Sequence, residues 1–264
     1  MNIKIPPYPN YQITDQAFDR DVVLNSVVKN DSSDLTSNKL LLTVVFKTGE
    51  KRVIRARSVK LKDDIYVTAF PNPVHLFLSA AIEHFNNSEQ VKENNFPKCG
   101  KKQADNLYIL DIEKNGTHEC YNFYVKYRAS SIIMLVSALE AFLNHIIPND
   151  FIYKTTRDNK PKEYNKADIE STKVWFSDKL IKVIPQCLGK DKFWDNLTKE
   201  KDIILALYEN RKNIIHLKTN AEDDLTRYFD VIDKMLDFDI LSSINATISF
   251  MNSASDKFIE FESD

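Results

Sequence analysis

Arg211-Lys212-Asn213-Ile214-Ile215-His216 sets a permanent cation and an imidazole on one short stretch, with four residues between them. The hexapeptide lies in a strongly apolar segment from Lys201 to Lys218. There Ile204, Leu207, Tyr208, Ile214 and Ile215 recur at the three-and-four spacing of a buried helix face. Arg211 falls on that stripe, where an aliphatic residue belongs. A guanidinium keeps its charge at every accessible pH, so on a packing face it needs an acceptor or an opening to solvent. His216 follows about 140° further round an ideal helix, toward the edge of the stripe, where a shared cleft could reach both side chains. A fixed cation beside a group that titrates near neutrality suits acid–base chemistry on an anion.

The other candidates are plainer. Lys51 to Lys62 holds six basic residues and no acidic one. It could track a nucleic-acid backbone, although alternation along a strand scatters the charges over both faces. Solvated edge charges that deter aggregation are the commoner explanation. His75, His84, His118 and His145 form no metal-ligand spacing with the cysteines. No phosphate-cradling glycine loop and no nucleophile elbow is present. Trp175 and Trp194, with Phe176 and Phe193, read as core residues and not as a base-stacking platform.

The elements that must position these residues follow from period and punctuation. Leu40 to Phe46, Val53 to Leu61 and Ile65 to Phe70 read as a three-stranded meander, stopped by Pro71 and Pro73. Val74 to Phe85 reads as an amphipathic helix, and Asn86 to Asp105 as a polar loop. Leu107 to Ile112 and a second run reaching Val125 read as a hairpin around Asn115-Gly116. Residues 127 to 147 carry the wide apolar face of a core helix ending at Pro148. The polar tract from Tyr153 to Asp168 reads as an exposed loop. Trp175 to Ile184, residues 201 to 218, Glu222 to Phe238 and Ile240 to Asn252 complete a set of helices. The expected fold class is α+β: a small N-terminal module of antiparallel strands over residues 1–120, then an all-helical bundle over 121–264.

Length and composition bound what this architecture can do. A chain of 264 residues buries one large core or two modest ones, and a net charge of −2 leaves any nucleic-acid surface to a local patch. The three cysteines have no paired spacing, and the N-terminus is polar and proline-rich. No stretch approaches the roughly 18 apolar residues of a membrane span. A reduced, cytoplasmic protein without membrane attachment is expected.

With those helices placed, the C-terminal half, roughly residues 125 to 250, resembles a HEPN domain (higher eukaryotes and prokaryotes nucleotide-binding). Members of this helical superfamily carry Arg, four to six residues, then His near the end of a core helix, as Arg211 and His216 do here. Leu207-Tyr208-Glu209-Asn210 leads in, and Leu217-Lys218-Thr219 leads out into a loop. Ser137-Ala138-Leu139-Glu140-Ala141-Phe142-Leu143-Asn144 is similar to the first long helix of many bacterial members. Lys212 departs from the pattern, since active members often have Asn, Asp or His after the arginine. Asn213 stands one position later, turned by about 100°.

The resemblance implies metal-independent RNA cleavage without a cofactor, giving a 2′,3′-cyclic phosphate and a 5′-OH. His216 would move the protons and Arg211 would clamp the phosphoryl oxygens, with Asn213, Lys212 and Glu140 as supporting or RNA-binding candidates. It also implies a homodimer pooling two Arg–His pairs, RNA as substrate, and a toxin or antiviral effector held by a regulatory protein or antitoxin. Three other expectations stand beside this one. Arg211 could pair structurally with Glu140, and His216 could cap a helix end. A non-catalytic HEPN module for dimerisation or partner binding is the second. The third is a partner of a nucleotidyltransferase, modified at Tyr208 or Tyr228.

Overall fold

The computed structural model describes residues 13–17, 40–46, 51–69, 71–96, 101–110, 117–157, 159–216 and 225–259. The β-branched run Leu40–Phe46 forms β2, between β1 (Ile13–Ala17) and β3 (Lys51–Leu61). With β4 (Asp64–Ala69) these make one antiparallel sheet in the order β1-β2-β3-β4. Leu61 pairs with Asp64 across a turn in which Lys62 takes φ 55°. The meander is as expected, with β1 added by pairing Ile13 to Phe46 and Ala17 to Thr43. The basic run lies on β3, which has a neighbour on both sides. β3 is therefore not the edge strand that the edge-charge reading requires.

The sheet belongs to a compact unit spanning Tyr8–Asn72, and Pro73–Asp264 falls in a second one. The division thus comes at Asn72 and Pro73, not near residue 120. The reason is packing: α1 (Pro73–Asn95) lies along α2 (Thr117–Ile146) within the second unit. Ser131 Oγ donates to Ala81 O at 2.8 Å, and Glu89 meets the Arg128 guanidinium at 3.7 Å. The Glu89 contact carries the helix through the polar stretch after Phe85, which the sequence marks as loop. Ser88 is fully buried there and donates to Phe85 O at 2.7 Å.

Two short hairpins interrupt the helices. β5 (Lys101–Ala104) pairs with β6 (Leu107–Ile109) around Asn106 at φ 62°. The hairpin expected around Asn115-Gly116 is not formed, because residues from Thr117 onward are helical; the dipeptide itself lies outside the described residues. The tract from Tyr153 is likewise a hairpin and not a loop. β7 (Tyr153–Arg157) pairs with β8 (Lys160–Tyr164) around Asn159 at φ 57°. Asparagine tolerates this left-handed geometry at small cost.

α3 (Lys166–Glu170) follows, opened by Asn165, whose side chain accepts from Asp168 N. The next helical segment, α4, covers residues 176–188 and changes winding midway. Phe176–Asp178 and Ile184–Leu188 are α-helical, and Lys179–Val183 is a π-turn. Ile184 N–H bonds back to Lys179 O. In that register Pro185 would serve Leu180 O but has no N–H to give. The Trp194 indole donates to Leu180 O instead, at 3.1 Å. Proline is absorbed inside the helix this way, and Gly189 at φ 62° ends it.

α5 (Thr198–Ile215), α6 (Leu225–Asp237) and α7 (Ile240–Ala254) close the bundle. α2 is its axis, touching α1, α5, α6 and α7. Among the described residues α2 is the one helix long and apolar enough to cross a membrane. Its apolar side chains Ile132, Leu135, Val136, Leu139, Phe142 and Leu143 are instead buried in the bundle core. The fold is α+β, antiparallel strands followed by a mainly helical region.

Candidate functional site

α5 has two faces because Ile204 and Leu207 are fully buried while Glu209, Lys212 and Asn213 are exposed. Burying each aliphatic side chain contributes about 1.5–3 kcal/mol, which fixes the helix rotation and hence the aim of Arg211. On an ideal helix Arg211 lies within about 40° of both. It is half-buried, and its Nε is enclosed with no hydrogen-bond acceptor. No ion pair joins it to Glu140 or to any other carboxylate among the described residues. Glu140 is half-buried on α2 and acts on another cation. Burial lowers the pKa of the Lys179 ammonium, and Glu140 with Glu170 partly offsets this.

His216 stands just past the end of α5. Its backbone N–H donates to Lys212 O at 3.1 Å, and its side chain is exposed. The helix therefore carries Arg211 into the bundle face and leaves His216 in solvent at its C-terminal end. Within one chain no hydrogen bond joins the two side chains. Leu217-Lys218-Thr219 lie outside the described residues.

Lys212 is exposed and pairs with Glu209 at 3.3 Å, a solvated contact one turn back. Asn213 faces the groove between α5 and α6, an open cavity of about 470 Å³. Glu209, Asp230, Asp233 and Asp237 also line it, with Lys234 as the one cation in the lining. Four carboxylates against one ammonium repel a phosphate backbone, so the surroundings of Asn213 do not favour RNA. Of the two tyrosines, Tyr208 lies stacked on Phe176 and Tyr228 is exposed.

Comparison with protein-family models, with curated proteins and with solved structures gives no match for this chain.

Two side chains matter here, one that the sequence does not single out and one that it places in the core. Arg128 on α2 is 5% exposed, donates from Nε to Met235 O at 3.3 Å, and donates from Nη2 to Phe238 O. It thereby satisfies carbonyls at the end of α6 that a helix terminus leaves open. Its place one turn before Ile132 on an apolar helix is the same misplaced-charge pattern that draws attention to Arg211. Trp175 is the other. It is 67% exposed, whereas Trp194, Phe193 and Phe176 are buried as expected. Trp175 precedes the first turn of α4, so the helix face that buries Phe176 does not constrain it.

Proposed function

We propose that this protein is a metal-independent endoribonuclease of HEPN type, acting at a site built from Arg211 and His216. The observation that carries this reading is the Arg211 guanidinium. It projects from the packing face of α5 with an enclosed Nε that meets no acceptor among the described residues. A buried donor without a partner is costly, more so when charged, and an anionic ligand removes that cost. A phosphodiester is such a ligand, because a planar guanidinium can hold two of its oxygens.

In the reaction, the ribose 2′-oxygen forms a bond to phosphorus and the bond to the 5′-oxygen breaks. The 2′-OH loses its proton to a base, and the departing 5′-oxygen gains one from an acid. Histidine supplies both roles near neutral pH. The separation of Arg211 and His216 around one helix favours a composite site, with the imidazole of a second copy reaching the guanidinium of the first. The protein then works as a homodimer in the cytoplasm, as a toxin or antiviral effector, with the N-terminal unit sensing a trigger or binding a regulating partner.

One observation favours a second reading, a non-catalytic partner-binding module. The acidic groove beside Asn213 fits a basic protein partner better than RNA.

The test is RNA cleavage by the purified protein in EDTA, with Arg211→Ala and His216→Ala alongside and product ends mapped. Cyclic phosphate ends, and loss of cutting in both variants, are expected. Cleavage that survives both substitutions removes this site from consideration. Intact RNA from every dimer preparation, with tRNA and total RNA as substrates, favours the partner-binding reading.

A further inference from the structure

The β7–β8 hairpin and the start of α4 enclose a cavity of about 220 Å³, whose lining includes Tyr153, Tyr164 and Trp175 together with Arg157, Lys173 and Lys182. Three aromatic rings and three cations thus meet in one small space. Asp178, the one carboxylate of the lining, is already held by Lys182 at 2.7 Å. Lys173 pairs with Asp168 outside the cavity, and Arg157 has no ion pair among the described residues. Exposed ion pairs of this kind contribute little and exchange readily for another anion.

The walls are fixed. Tyr153 and Tyr164 stack across the hairpin with centroids 6.1 Å apart. The Gln186 side chain fastens β7 to α4 by accepting from Lys154 N at 3.0 Å and donating to Lys154 O at 3.2 Å. Trp175 stands at this cavity with two thirds of its surface in water.

We propose that the cavity takes one base of a single-stranded RNA, stacked on Trp175, with its flanking phosphates on Arg157, Lys173 and Lys182. Aromatic faces accept any base, and cations beside them track the backbone. Only an unpaired strand can turn a base out to such a ring. The volume agrees, being smaller than the roughly 300–1,000 Å³ of pockets that enclose a whole small-molecule ligand. The hydroxyls of Thr155 and Thr156 add hydrogen-bonding groups to the lining. Phe176, the residue after Trp175, stacks on Tyr208 at 4.2 Å, one turn before Arg211 on α5. A strand held at Trp175 is therefore anchored next to the helix that carries Arg211. The choice of RNA as the strand rests on the cleavage reading above; the preference for an unpaired strand rests on the cavity.

The test uses the full chain carrying Arg211→Ala, in EDTA, so that binding is read without cleavage. The chain has two tryptophans, and Trp194 is buried with its indole N–H engaged. Quenching of intrinsic fluorescence therefore reports Trp175. A short single-stranded RNA should quench it, and the same RNA in duplex form should not. Trp175→Ala, which removes the reporter and is followed by the anisotropy of a labelled RNA, should weaken binding about 5- to 150-fold. Arg157→Ala should weaken it and lower the salt slope by about one. Both side chains are exposed, and circular dichroism checks that the variants fold. Absence of quenching, unchanged affinity in both variants, or a preference for a phosphopeptide over the RNA would each overturn the pocket. Binding that follows these expectations, without cleavage by the unsubstituted protein, keeps the pocket and overturns the catalytic reading. Cleavage with kcat/KM unchanged when Trp175→Ala or Arg157→Ala is made in the chain that keeps Arg211 does the reverse.

Discussion

Phe176 and Tyr208 lie face to face, their ring centroids 4.2 Å apart and their planes within 5°. The contact joins the first turn of α4 to the helix of Arg211. It fixes the segment that presents Trp175 against the segment that presents the guanidinium.

Tyr208→Ala should therefore lower stability by about 2–4 kcal/mol, from lost burial and lost ring contact. Tyr208→Phe keeps the stack and should stay within about 0.5 kcal/mol. Urea denaturation of the two variants checks this. Equal, small losses in both would mean the stack does not hold the two segments together.

Arg211→Met should be neutral or stabilising by up to about 1 kcal/mol, since it removes a charge whose Nε has no acceptor. The same substitution should abolish RNA cleavage on the reading proposed above. Opposite movement of stability and activity is the expected pattern for a residue kept for function. A marked fall in melting temperature would instead assign Arg211 a structural partner.

Arg128 should behave in the opposite way, because its guanidinium is used. Arg128→Ala leaves Met235 O and Phe238 O without their donor and should cost about 2–4 kcal/mol. Hydrogen exchange should quicken at the end of α6. Exchange unchanged there would show that water replaces the guanidinium at no cost.

His75 on α1 is 4% exposed and lies 5.4 Å from the Phe258 ring. Burial lowers its pKa from the ordinary 6.5; the Phe258 backbone opposes this and His145 adds to it. The unfolded chain therefore binds a proton more readily than the native one. The stability from a neutral His75 is complete above about pH 6.5 and is lost as pH falls through the lower folded value. Denaturation midpoints should drop as pH falls below about 6.5, and His75→Gln should flatten that slope. An unchanged slope would show that another group titrates in this range.

Much of the bundle is legible in the chain because its helices carry their own period. The α2 stripe from Ile132 to Leu143, and Ile204 and Leu207 of the α5 stripe, face the core as their spacing requires, whereas Ile215 at the end of that stripe is exposed. The β2–β4 meander is legible for a similar reason, its β-branched runs being broken by turn residues. The misreadings share one cause. Asn86 to Asn95 is polar, and its helix is held at Glu89 by Arg128 of α2, which no local window contains. Tyr153 to Tyr164 reads as loop because Lys and Asn outnumber apolar residues. Yet its two tyrosines stack and Gln186 pins its backbone. Pro185 reads as a stop, but a π-turn and the Trp194 indole accommodate it.

The sequence by itself determined that Arg211 lies on a buried stripe, with His216 about 140° away on the same helix. Helical geometry is a local property, so spacing alone carries that information. Only the tertiary structure decided that no carboxylate among the described residues pairs with Arg211, that Glu140 instead acts on Lys179, and that Trp175 faces water. Those outcomes depend on which helices and hairpins meet, and such meetings are set by long-range packing that residue spacing does not encode.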